Sequence, residues 1–290
     1  AAKGRLIQVQ VHMKRISIAI TAYDRVDLLK QCLVHLSSND QRLFRVLVFP
    51  DLVDELTDRS IRSACSSVSA ETGMEIHLIS GPETHLHCCR NVMRSVSVTS
   101  SLNPEYIIKL DGDILVTKDF VKVMFELSQS IDGGLATSSI ICHMSKEEKR
   151  ARASEVVDIS LSGSNFCVSN KWWREIEETA RPLVIRRHSN REARWPELQS
   201  IAASSNPTQP GAIAGKEYFF KEDHNIGSDA IIVLGAAVCD CPISSLVVNR
   251  ATHPSPTGVH TTAEWHAANY ANTFLDEIEG DATRNHFTRK

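Results

Sequence analysis

Several features are missing from these 290 residues, and each absence removes a class of protein. No run reaches about 18 consecutive apolar residues, so no membrane span is expected. No basic–apolar–small signal segment opens the chain. Neither sign of charge dominates. With 32 Lys+Arg against 35 Asp+Glu the net charge is −3, which leaves no broad footprint for nucleic acid or a membrane surface. The eight cysteines, at 32, 65, 88, 89, 142, 167, 239 and 241, contain no C-x-x-C pair, so neither a zinc site nor a disulfide framework is expected. Scattered thiols without an export signal fit a reducing cytoplasm as the location. No G-x-G-x-x-G follows the first apolar strand, which disfavours a dinucleotide dehydrogenase. No internal repeat and no clean linker divide the chain.

What is present is ordinary globular composition, 42% hydrophobic and 23% charged, and an alternation of strand and helix patterns. Strands are expected at Arg15–Ala22, Phe44–Phe49, Met74–Ile79 and Tyr106–Leu110. Helices are expected at Asp27–Leu36, Asp54–Val68, Glu83–Val98 and Asp119–Ser130. Such alternation implies an α/β fold: a mostly parallel sheet flanked by helices. The second half is less regular. Strands are expected at Gly134–Cys142, Asn165–Val168 and Leu246–Val248, and helices at Lys171–Ala180, from near Ser228, and over 262–278. Residues 181–226 are polar and proline-rich and read as a mobile loop. The organisation expected is one domain: a leader at 1–12 with the natural start at Met13, a ligand-binding half at 13–130, and a decorated half at 131–290.

Asp111-Gly112-Asp113 carries the sharpest chemistry. Two carboxylates, one residue apart, stand at the carboxyl end of a parallel strand, the edge where open α/β sheets bind ligands. Magnesium takes one or two carboxylates together with substrate phosphates, so this spacing suits a metal–diphosphate. Gly112 permits an unusual backbone and a close ligand approach.

Other segments stand in a telling order around it. Ile16–Arg25 reads ISIAITAYDR, residues 28–36 read LLKQCLVHL, Asp51 follows the second strand, and Cys89–Asn91 reads CRN. This ordered set resembles the inverting GT-A glycosyltransferases of the family-two type, from Ile16 to about Ser130 and more loosely to His253. The resemblance implies a GT-A-type, Rossmann-like sheet and transfer of a sugar from a nucleotide-diphospho-sugar, by default a UDP-sugar, to an acceptor hydroxyl. It implies Mn²⁺ or Mg²⁺ as cofactor. On the nucleotide side it implies Thr21, Tyr23, Asp51, Arg90, Asp111 and Gly112, with Asp113 and Asp111 on the metal and His253, or else His260, completing the metal site. Thr21 stands where the family has proline, Ala22 where it has threonine, and Asp24 where it has asparagine.

Inverting transfer needs a carboxylate to take the acceptor proton. The resemblance implies that Asp229, ahead of the apolar run AIIVLGAAV, fills this role, with Asp223 second. Arg250 is a candidate for the leaving diphosphate. Trp172 and Trp173, after Gly163-Ser164-Asn165, are candidates for stacking on the acceptor. The acceptor itself and the oligomeric state are not legible. Two alternatives stay open: a haloacid-dehalogenase-like phosphatase, which also uses Asp-x-Asp after a strand, and a non-catalytic nucleotide-sugar binder.

Overall fold

The computed structural model describes residues 14–138, 155–157, 165–189, 228–246, 250–252 and 288–289. Nine described strands form one sheet with a two-stranded ribbon beside it. In chain order the elements are β1 (Ile16–Ala22), α1 (Val26–Ser37), β2 (Phe44–Pro50), α2 (Glu55–Thr72), β3 (Ile76–Leu78), α3 (His87–Ser101), β4 (Tyr106–Asp111), β5 (Leu115–Val116) and α4 (Phe120–Ser130). There follow β6 (Leu135–Thr137), β7 (Glu155–Val157), β8 (Asn165–Ser169), α5 (Asn170–Ser189), α6 (Ser228–Val238), β9 (Ile243–Leu246), β10 (Ala251–Thr252) and β11 (Thr288–Arg289). The first-half strands and helices lie where their periodicity places them, within a few residues.

The order across the main sheet is β11-β7-β9-β6-β8-β4-β1-β2-β3. β1 pairs in parallel with both β2 and β4, and β2 with β3. The chain therefore winds outward through β2 and β3, then crosses back to β4 on the other flank of β1. The gap between the carboxyl ends of β1 and β4 is the point where winding reverses, and open α/β sheets bind ligands there.

Alternation along the strands loads both faces. Ile16, Ile18, Ile20, Ile108 and Leu110 face one way, into a core shared with α1, α2 and α4. Ile107, Phe166 and Val168 face the other way, against α3, α5 and α6. Each such side chain contributes about 1.5–3 kcal/mol on burial. Local signals agree: Asp54 caps α2 by accepting from Thr57 N at 2.8 Å, and Gly73, with φ 72°, closes it.

The second half departs from expectation in several places: β9 starts at Ile243, ahead of the strand expected at Leu246–Val248, and β7, β10 and β11 stand where no strand was expected. The loop expected from 181 begins as helix, since α5 runs on to Ser189 through Pro182. A proline removes one helical N–H bond, whereas the preceding turns are pinned by packing: Ile176 and Ala180 lie against Gly235 of α6. Tertiary contact overrides the local breaker. Residues 190–227 lie outside the described residues, as does the helix expected over 262–278.

Candidate active site

Thr21 and Asp111 are register partners at the end of the β1–β4 ladder. Their side chains meet, Thr21 Oγ1 donating to Asp111 Oδ1 at 3.1 Å. The same oxygen receives Lys109 Nζ at 2.5 Å. Residues 109 and 111 lie on one face of β4, which is why an ammonium two residues back reaches the carboxylate. Lys109 is 1% exposed, while Asp111 is 28% exposed. Asp111 is thus anchored from below by a fixed cation and open to water above.

Asp113 is held differently. Its Oδ2 lies 3.1 Å from Arg25 Nη1, in the segment between β1 and α1. Both partners are part-exposed, Arg25 at 35% and Asp113 at 24%. Between the two aspartates, Gly112 N donates to Thr21 O at 2.9 Å. A Cβ on Gly112 would sit 2.7 Å from that carbonyl oxygen and 3.3 Å from Leu29 Cδ1. The glycine is not in the left-handed region. It is required for clearance against β1, which corrects the expectation of an unusual backbone. Directly beneath, Cys32 Sγ lies 3.9 Å from Asp111 O. Burial, with the charges of Asp113 and Asp111 adding to it, pushes the Cys32 thiol up, so it stays neutral.

A second group of side chains stands beyond the end of β2. Asp51 is buried; its Oδ1 accepts from Leu52 N and from Leu86 N, each at 2.8 Å. His85 Nδ1 lies 3.0 Å from Asp51 Oδ2. The Tyr23 ring, 50% exposed, is tilted against His85 at 5.1 Å, and His87 meets His85 edge-on at 4.1 Å. Asn91 Nδ2 donates to Phe49 O at 3.2 Å and Arg94 Nη1 to Pro50 O at 3.1 Å, so the first turns of α3 tie down this rim. Arg90, in the first turn of α3, is half-buried. An aromatic ring, two imidazoles and a buried carboxylate thus gather past the ends of β1 and β2, beside the β1–β4 pairing that carries Asp111.

No protein-family model and no curated protein matches the sequence. Solved structures do. The crystal structure of S. aureus TarS 1-349 superposes with a TM-score of 0.50 at 12% identity, covering 83% of this chain and 61% of that one. The GT-A fold is this chain's fold. The same TarS fragment in complex with UDP-GlcNAc gives a TM-score of 0.49 at 11% identity, over 85% of this chain and 60% of that one. Mannosyltransferase PcManGT from Pyrobaculum calidifontis, in complex with GDP-Man and Mn2+, gives 0.46 at 10%, over 78% and 74%. The chain thus spans about three fifths of the length of the TarS fragment.

On the GT-A fold, the expected nucleotide-side residues Thr21, Tyr23, Asp51, Asp111 and Gly112 share one edge of the sheet, with Asp113 beside them. The acceptor-side expectations fare otherwise. β8 is antiparallel to β4, with Asn165 opposite Leu110 and Ser169 opposite Tyr106. The chain therefore enters α5 at the far edge of the sheet, and Trp172 and Trp173 are carried away from Asp111. Trp173 is 0% exposed and stacks on Phe166 at 6.0 Å. Trp172 Nε1 donates to Asp132 O at 3.0 Å. Neither faces a sugar at the Asp111 edge. Arg250 is corrected too: it is 3% exposed and its Nε binds Asp119 Oδ2 at 3.1 Å, so it serves the β5–β10 ribbon, not a leaving diphosphate.

Asp229 is the second residue of α6. β9 runs parallel to β6, and Leu135 N donates to Pro242 O at 2.8 Å, so α6 ends at the far edge of the sheet. An 11-residue helix spans about 16 Å. Its amino end, with the Asp229 backbone, therefore returns towards the edge that carries Asp111. Asp223, His253 and His260 lie outside the described residues.

Sequence reading quoted Arg25 in ISIAITAYDR without giving it a role, and passed over Lys109, His85 and His87. Lys109 had a signal, a lone charge inside the apolar strand YIIKL. The histidines had none, because their meeting with Tyr23 and Asp51 is made by chain crossing. Among the described residues no three His, Cys, Asp or Glu side chains cluster around a metal position. Asp111 and Asp113 supply hard carboxylate oxygens only, and a Mg²⁺ or Mn²⁺ bound there would fill its sphere with diphosphate oxygens, which such ions accept. The donor set fits a metal of that kind.

Proposed function

We propose that this chain is a glycosyltransferase that moves a sugar from a nucleotide-diphospho-sugar, by preference a UDP-sugar, to an acceptor hydroxyl with inversion. The observation that carries the reading is the Asp111–Asp113 pair at the β1–β4 reversal, beside the Tyr23–His85–Asp51 ledge. Tyr23, with Asp51 and Arg90, receives the nucleotide, and Asp111 would hold the ribose or join Asp113 in holding the cation. Asp113, joined by His253, or His260 in second place, holds Mn²⁺ or Mg²⁺. When bound, the cation neutralises charge that develops on the departing diphosphate. Asp229 takes the proton from the acceptor hydroxyl as its oxygen bonds to the anomeric carbon and the bond to the diphosphate breaks; Asp223 is the second candidate. That α6 returns its amino end to the active edge supports Asp229.

A thermal-shift screen of nucleotide-diphospho-sugars with and without Mn²⁺ tests the reading. Stabilisation that needs both ligands, and that is lost in Asp113→Asn, is expected. The absence of any nucleotide- and Mn²⁺-dependent shift in the wild-type chain overturns it. Phosphate release from simple phosphomonoesters would support the phosphatase instead, and donor binding with no turnover on a broad acceptor panel the non-catalytic binder.

A further inference from the structure

The two aspartates are neutralised by different kinds of cation. Lys109 is buried, with its ammonium on Asp111 Oδ1. Arg25 lies outside β1, just before α1, part-exposed, and reaches Asp113 across the open edge of the sheet. Asp111 Oδ1 is already taken by Thr21 and Lys109, so the group most readily exchanged at this edge is the Arg25 guanidinium on Asp113 Oδ2.

We infer that Arg25 is an exchangeable counter-ion that links metal and donor binding. Before ligands arrive, Arg25 holds Asp113 charge-balanced and in place. It yields Asp113 Oδ2 to the divalent cation and turns its guanidinium to the donor diphosphate, an anion it can bind with paired N–H groups. The inference rests on the metal site proposed above. Its consequence is a pair of shifts of opposite sign. Removing the guanidinium relieves competition for Asp113, so Mn²⁺ alone binds more tightly. It also removes a diphosphate contact that exists only after the exchange, so nucleotide diphosphate binds more weakly once Mn²⁺ is present. A residue that merely braces the loop would weaken both, and one that contacts diphosphate without competing at Asp113 would leave Mn²⁺ alone unchanged.

The test is calorimetric titration of the full chain with Mn²⁺ alone, and with UDP and GDP at saturating Mn²⁺, for wild type, Arg25→Gln and Arg25→Lys. In Arg25→Gln the Mn²⁺-alone affinity should rise about two- to fivefold, the scale of a part-exposed ion pair. Nucleotide affinity with Mn²⁺ should fall by about fivefold or more, a typical coupling between sites. Arg25→Lys, which keeps the charge, should stay near wild type with Mn²⁺ alone and recover only part of the nucleotide affinity. Unchanged or weaker Mn²⁺-alone binding in a folded Arg25→Gln protein overturns the inference. Asp113→Asn, run in parallel, separates the two readings. If it leaves Mn²⁺ binding intact, the metal site itself is wrong; if it abolishes Mn²⁺ binding while Arg25→Gln changes nothing, only the exchange is wrong.

Discussion

Gly112→Ala is the most informative single change. The added Cβ would lie 2.7 Å from Thr21 O, a backbone oxygen on a strand paired on both sides by β2 and β4. That oxygen cannot retreat, and Leu29 Cδ1 at 3.3 Å and Ile20 Cγ2 at 3.6 Å close the other directions. The Asp111–Asp113 turn must lift away instead, stretching the 2.9 Å bond from Gly112 N to Thr21 O. Overpacking of this kind costs about 1–3 kcal/mol, and at about 2–4 °C per kcal/mol for chains of 150–250 residues the midpoint should fall by roughly 2–12 °C. Lifting both aspartates by even about 1 Å should lower transfer roughly 100-fold. Differential scanning fluorimetry of the apo chain, repeated with Mn²⁺ and nucleotide diphosphate, reads the loss of stability and of ligand binding, and a transfer assay reads the rate. Gly112→Asn separates clearance from backbone freedom, because asparagine tolerates the left-handed region but brings the same Cβ; it should be no milder than alanine. A wild-type midpoint together with an intact ligand shift in Gly112→Ala would refute the clearance argument.

Other outcomes follow from the same geometry. Asp229→Asn should keep nucleotide and Mn²⁺ binding but lose about 10²–10⁴-fold in transfer, the usual worth of a general base; near-wild-type turnover removes Asp229 from that role. Trp173→Ala should cost about 3–5 kcal/mol in urea unfolding, as expected for a buried tryptophan. Trp172→Ala should cost less than that, because its ring is only partly buried against the same core and its Nε1 donates to Asp132 O at a partly wet site. Equal costs for the two tryptophans would contradict their different burial.

Much of this protein was legible in the bare chain, for a local reason. Near-continuous apolar runs such as ISIAIT and YIIKL, and helical stripes such as Leu29, Cys32, Leu33 and Leu36, are read from spacing alone, and the structure buries their apolar residues. Thr21, Asp51 and Asp111-Gly112-Asp113 come together because each stands at the end of a parallel strand, whereas LLKQCLVHL and CRN lie on α1 and α3. Strand direction and chain crossing decided the rest. Nothing near Trp172 says that β8 runs antiparallel to β4, yet that reversal carries both tryptophans to the far edge. Nothing near Arg250 announces Asp119, which is 131 positions away in sequence. The meeting of Arg25 with Asp113, and of His85 with Tyr23 and Asp51, likewise arises only when β1, β2 and β4 align their ends. Periodicity records what each segment buries; which charges face one another is set by how the segments close, and that is a property of the folded chain.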